Sequence, residues 1–153
     1  MKNLISKTDK PIGLAGDHAG FEMKAAVIKL FEESGIKYID FGSYSTESVD
    51  YPDFAHKLAN AIDNGECEYG ITFCGTGNGI NMVMNKHQKV RSGLCWNTEI
   101  AELVRKHNNA NALSMPARFI SIEEGLRIVE KFFSTEFEGG RHQTRIDKIP
   151  LCK

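Results

Sequence analysis

Tyr69-Gly70-Ile71-Thr72-Phe73-Cys74-Gly75-Thr76-Gly77-Asn78-Gly79 is the stretch that decides the fold. Tyr69 to Phe73 reads as a short buried strand, and Ile80 to Asn85 can begin a helix once the glycines end. A strand, a glycine-rich loop and a helix in that order aim backbone N–H groups and a positive helix end at whatever lies above, which suits a phosphate or an oxyanion formed during reaction. The same field favours the thiolate of Cys74.

Outward from this unit the chain alternates short apolar runs with amphipathic stretches. Pro11 to Ala15 is a strand candidate, followed by a helix from Phe21 to Glu33 with Gly35 as its stop. Tyr38 to Phe41 is a second strand, and Asp53 starts a helix that aligns Phe54, Leu58, Ala61 and Ile62. After the Cys74 unit come a strand at Val90 to Trp96, a helix capped by Asn97 and a fifth strand at Ala112 to Met115. Ile122, Leu126, Val129 and Phe133 mark another helix, and Gly139-Gly140 precedes a short final one. Five alternations predict an α/β fold, a parallel sheet covered on both faces by right-handed crossovers. Ligands of such sheets bind at the carboxyl ends of strands, where Asp17-His18 and Cys74 both fall.

Composition narrows the function. The 153 residues suffice for one domain with a real core, and no repeat or linker divides them. A formal net charge of −1 and the lack of a basic block give no footprint for nucleic acid. No apolar run approaches membrane-spanning length, and Met1 to Lys10 reads as a polar N-terminal tail rather than a targeting segment, which leaves 11–153 as the domain and a cytoplasmic location as the expectation. The four cysteines, Cys67, Cys74, Cys95 and Cys152, show neither paired spacing nor scaffold density and read as free thiols of a reducing compartment.

Several candidates admit two readings. Cys74 alone is a small buried hydrophobe, and the glycines behind it make it a functional one. Gly75-Thr76-Gly77-Asn78-Gly79 lacks the G-x-G-x-x-G spacing of a dinucleotide site, the arginine of a cysteine phosphatase is replaced by Ile80, and the P-loop Lys-Ser/Thr pair is missing. Asp17-His18 is either a helix cap beside a solvated imidazole or an acid–base group beside an anion contact. His107 lies on the apolar face of its helix, as a core histidine does, yet at the helix end, where a turn can expose it. Arg141 and Arg145 stand four apart on one face, either solvated or gripping an anion. His56 and His87 have no partner at metal-ligand spacing, and no Cys/His/carboxylate cluster is legible, so no metal is assigned.

Gly16-Asp17-His18-Ala19-Gly20-Phe21, Asp50-Tyr51-Pro52, Cys74 to Ile80, Asn85-Lys86, His107-Asn108 and Glu138-Gly139-Gly140-Arg141-His142 together resemble the type B ribose-5-phosphate isomerase family, in the family's order and from about Ile12 to Arg145. The resemblance implies a single-domain, Rossmann-like α/β/α sandwich with a five-stranded parallel sheet. It also implies metal-free and cofactor-free interconversion of ribose 5-phosphate and ribulose 5-phosphate in the pentose phosphate pathway. A homodimer with sites at the subunit interface follows from it too, with a tetramer left open. By the same resemblance Cys74 is the base, His107 the ring-opening acid and Asp17 its polar partner. Phosphate falls to His18, Arg118, Arg141 and Arg145, and Asn108 holds a hydroxyl. Gly75, Thr76, Gly77, Asn78 and Gly79 line the oxyanion pocket, with Thr76 counted among the catalytic residues. One branch of the family places a glutamate base just after the last loop glycine; here that position is Ile80. Two other readings remain: an isomerase of allose or galactose 6-phosphate, and a non-catalytic sugar-phosphate sensor, which would not need a thiol base.

Overall fold

The apolar runs form five strands, β1 (Ile12–Gly16), β2 (Tyr38–Asp40), β3 (Gly70–Cys74), β4 (Ser92–Leu94) and β5 (Ala112–Pro116), all parallel and ordered β2-β1-β3-β5-β4. The structure, a computed structural model, describes residues 8–151; residues 1–7 of the expected tail, and Cys152, lie outside them. Six α-helices, α1 (Phe21–Ser34), α2 (Tyr51–Asp63), α3 (Asn78–Met84), α4 (Thr98–Asn108), α5 (Ile122–Ser134) and α6 (Arg141–Ile146), and a 3₁₀ turn at His18–Gly20 before α1 complete the described chain.

Strand alternation divides the interior into two cores. Ile12, Leu14, Ile71, Phe73, Leu113 and Met115 pack against α1, α4 and α5 through Val27, Phe31, Ala101, Ile128 and Phe132. Ala15, Cys74 and Ala112 turn to the other face and meet Leu58, Ile62, Ile80 and Met84 of α2 and α3. Right-handed crossovers account for this split: β1→β2 and β4→β5 run one way along the sheet, whereas β2→β3 and β3→β4 run the other. The connections leaving β1 and β3 therefore part to opposite faces, opening the crevice at which α/β sheets bind ligands.

Most elements fall within one residue of the sequence expectation, and three differ by two residues at an end, each for a local reason. α3 starts at Asn78, two residues before Ile80, because Gly77 adopts φ +77 and turns the chain into the helix. α2 starts at Tyr51 rather than Asp53, with Pro52 in the first turn, where a missing N–H costs no hydrogen bond. β4 is only Ser92–Leu94 because its edge position offers one neighbour and Asn97 already caps α4 by accepting from the Ile100 N–H. The stop at Gly35 holds, with φ +70.

Candidate active site

Cys74 ends β3, buried under the loop it introduces, and its Sγ accepts the Gly77 N–H at 3.2 Å. Thr76 Oγ1 accepts the Asn78 N–H at 3.2 Å, leaving the exposed hydroxyl hydrogen free to donate outward. Among the described residues the N–H groups of Gly75, Thr76 and Gly79 meet no protein acceptor, so the loop is a set of unpaired donors above a thiol. Each glycine here has a close neighbour, tightest at Gly77 and Gly79. A Cβ at Gly77 would lie 2.4 Å from Leu94 Cδ1, one at Gly79 2.5 Å from the Tyr51 ring, and one at Gly75 3.3 Å from Arg118 Cδ. Arg118 follows β5, and its N–H donates to the Gly75 carbonyl at 3.1 Å, which places this guanidinium beside the loop.

Asp17 and His18 reach the same edge from β1. The Asp17 N–H donates to the Phe73 carbonyl at 3.1 Å, and Asp17 Oδ1 accepts from the Ala19 and Gly20 N–H groups at 2.9 and 3.2 Å. Asp17 thus caps the turn that follows it, and the cap fixes a nearly buried carboxylate whose Oδ2 has no partner among the described residues. His18 Nδ1 accepts the Val49 N–H at 3.2 Å, a bond that requires the tautomer with hydrogen on Nε2 and so leaves Nε2 as a donor.

Below Cys74, Thr72 and Ser114 share a hydrogen bond of 2.6 Å, and Ser114 also contacts Asn81 Oδ1 at 3.1 Å and Ser92 Oγ at 3.2 Å. This polar seam ties β3, β5, β4 and α3 together beneath the loop. Nothing in the spacing of these residues announces it. The other described cysteines are inert by burial, which pushes the Cys67 thiol up to about 11 and the Cys95 thiol up to about 12.

The remaining expected site residues lie elsewhere in the chain. α4 must return from the carboxyl end of β4 to the amino end of β5, so His107 and Asn108, in its last turn, stand at the amino edge of the sheet. Arg91, just before β4, confirms the level: its Nε and Nη2 donate to the Asn108 and Asn109 carbonyls at 3.1 and 3.0 Å. Cys74 pairs with Pro116, the far end of β5, and four residues of strand span about 13 Å. The His107 ring lies flat against His142 of α6, centroids 4.4 Å apart and planes at 18°, and α6 carries Arg141 and Arg145, both exposed. One chain thus holds two clusters at opposite edges: Asp17, His18, Cys74, Gly75 to Gly79 and Arg118 at one, and His107, Asn108, Arg141 and Arg145 at the other.

The fold also brings together histidines that stand far apart in the sequence. His56 Nδ1 lies 2.8 Å from His87 Nε2, and His87 Nδ1 lies 2.9 Å from Asp63 Oδ2. His107, Glu138 and His142 bring one ligand atom each within 4.8 Å of one another. Long sequence separations hide the first group, and only the i,i+4 spacing of Glu138 and His142 offered a signal for the second.

Comparison with known proteins agrees with this architecture. The sequence pattern of the family described as Ribose/Galactose Isomerase matches residues 12–149. Ribose-5-phosphate isomerase B of Escherichia coli is 38% identical over 140 residues, 92% of this chain and 94% of its own length. A ribose 5-phosphate isomerase of Thermotoga maritima superposes with a TM-score of 0.89 at 45% identity, covering 93% of this chain and 98% of that one. Ribose-5-phosphate isomerase B of Mycoplasma genitalium, solved with bound ribulose-5-phosphate, gives a TM-score of 0.88 at 38% identity, with 93% and 95% covered. With a matching pattern over most of its length and the same five-stranded sheet, this chain belongs to the ribose/galactose isomerase family.

Proposed function

We propose that the protein interconverts ribose 5-phosphate and ribulose 5-phosphate through an enediolate, in a cytoplasmic homodimer whose two active sites each join the carboxyl-edge cluster of one chain to the amino-edge cluster of the other. The observation that carries the reading is the Cys74 thiol under unpaired loop N–H groups beside Asp17 and His18, in a chain similar to one solved with ribulose 5-phosphate. The separation of His107 from Cys74 within a chain supports the shared site, because ring opening and proton transfer act on adjacent carbons of one small sugar. One isomerase domain spans 11–153.

The chemistry divides between the clusters. In the closed sugar, the partner's His107 gives a proton to the ring oxygen while Asp17 Oδ2 takes the proton of the anomeric hydroxyl, which frees the aldehyde at C1. The Cys74 thiolate then removes the proton on C2, and the electron pair forms the C1–C2 double bond of the enediolate as charge moves to O1. The N–H groups of Gly75 and Gly79 and the Thr76 hydroxyl meet that charge, a stabilisation that grows in the transition state. Return of the proton from the Cys74 thiol to C1, with the O2 proton transferred to O1, leaves the ketone at C2. His18 and Arg118 from one chain, with Arg141 and Arg145 from the other, hold the phosphate. Remote binding thereby becomes orientation at C1 and C2. Asn108 holds a sugar hydroxyl.

Turnover of the purified protein on ribose 5-phosphate, allose 6-phosphate and galactose 6-phosphate tests this reading. Pentose phosphate should react with the highest kcat/KM; turnover of a hexose 6-phosphate alone would replace the substrate, and tight binding without any turnover would make the protein a sensor.

A further inference from the structure

The amino-edge cluster contains two groups that the isomerase chemistry does not use. Glu138 and His142 converge with His107 so that one ligand atom from each lies within 4.8 Å of the others, and Glu138 Oε2 is 3.5 Å from His142 Nε2. Ligands about 2.0–2.1 Å from a tetrahedral ion stand about 3.3–3.4 Å from one another, so the Glu138–His142 edge is already of the right length and the rest needs only side-chain adjustment. We propose that His107, Glu138 and His142 form a binding site for a divalent transition ion such as Zn²⁺, and that its occupation withdraws His107 from ring opening and inhibits the enzyme.

Local structure gathers the three ligands. His142 is buried and its ring stacks on that of His107; a ring nitrogen binds an ion in the plane of its own ring, so occupation turns His107 out of this stack. The Glu138 N–H donates to the Lys106 carbonyl at 3.1 Å, pinning this residue against the end of α4. Gly139 and Gly140, at φ +72 and +59, let the chain turn so that Glu138 folds back on His142. The carbonyl end of α4 adds a negative field where a cation would enter. Two imidazoles and a carboxylate suit zinc, cobalt or nickel, whereas magnesium and calcium demand mostly oxygen; the fourth position stays open for water. Arg141 and Lys106 flank the cluster and oppose a cation, although Lys106 is engaged by Glu102.

The inhibitory part rests on the proposed role of His107; the site itself does not. Co²⁺ is therefore the primary probe, since visible d–d bands report its ligand set without any turnover. In a His56→Ala background, which removes the exposed histidine pair, one Co²⁺ per chain should bind with bands that Zn²⁺ displaces. Glu138→Gln and His142→Gln should weaken binding at least tenfold, and Cys74→Ala should leave it unchanged. Zn²⁺ should slow ribose 5-phosphate turnover at least tenfold at saturation. Glu138→Gln, with ordinary basal activity, should need at least tenfold more zinc for half-inhibition. Equal Co²⁺ binding by both Gln variants, no binding at millimolar Co²⁺, or loss of the bands in Cys74→Ala would overturn the site. Binding as expected without inhibition would uphold the site and overturn its inhibitory consequence, together with the acid role of His107.

Discussion

Gly20→Ala should uncouple the two strand ends that build the carboxyl-edge cluster. Gly20 has φ −95, a conformation open to alanine, so the substitution acts through space alone. The added Cβ would lie 2.4 Å from Phe73 Cβ and 2.6 Å from the Phe73 carbonyl carbon and oxygen, immediately before Cys74. Backbone and a fixed core ring cannot swing away as a flexible side-chain tip would. Relief to ordinary contact needs the loop and β3 to separate by about 1 Å, and overpacking of this kind costs about 1–3 kcal/mol. The same displacement carries Asp17 away from Cys74, because the Asp17 N–H is bonded to that very Phe73 carbonyl. Misplacement by about 1 Å is worth about 100-fold in rate. The expected outcome is a folded protein with lower thermal stability and a kcat/KM about 100-fold down, read in a direct ketose assay with a melting curve. Gly35→Ala serves as control, since that position has φ +70 but nothing within 4 Å of the new Cβ; it should cost about 1 kcal/mol and leave kcat/KM unchanged. Gly20→Ala within threefold of the parent in kcat/KM, at any stability, would refute the coupling of the two strand ends.

Cys74→Ala should lose at least 100-fold in kcat while binding a phosphorylated substrate analogue as before, because the deleted group acts on the transition state; near-normal turnover would remove the thiol from the mechanism. In a Cys152→Ala background, iodoacetamide should alkylate Cys74 first, with substrate protecting it, while Cys67 and Cys95 stay unmodified until the fold opens; mass spectrometry of digests reads the order. Because burial raises Cys95 from 9.0 to about 12, the folded state keeps a proton that the unfolded state loses in this window, so the stability it contributes is complete below pH 9 and lost as pH rises toward about 12. A flatter alkaline stability profile in Cys95→Ala checks that sign, and an unchanged slope would contradict it. In the proposed mechanism the loop N–H groups and Thr76 supply the charge stabilisation, so turnover should survive a chelator; loss of activity that a divalent ion restores would sink the mechanism.

Much of this architecture is legible in the chain because its signals are local. The strands alternate with helices, Gly35 and Asn97 punctuate α1 and α4 as their chemistry dictates, and Cys74 announces itself by the glycines after it. Periodicity does not encode which strands become neighbours, so the placement of β5 between β3 and β4 had no sequence signature. The same limit explains the histidines: His56 and His87 are 31 residues apart yet in contact, and His107 meets His142 only because α6 folds back on α4. The resemblance placed Cys74 and His107 in a site at a subunit interface without assigning each to a chain, and the direction of α4 keeps the two at opposite edges of the sheet within a single copy.

Complementation between two inactive variants tests the shared site most directly. Cys74→Ala damages the carboxyl-edge cluster, and His107→Ala damages the amino-edge cluster. In a mixed dimer, one site then carries both lesions and the other carries neither. After dissociation, equal mixing and reassociation, half the dimers are hybrids, so about a quarter of all sites are intact. The account predicts recovery to about a quarter of parental activity from two preparations that are each nearly inactive. Hybrids demonstrated by native mass spectrometry, with activity no higher than that of the separate variants, would contradict it.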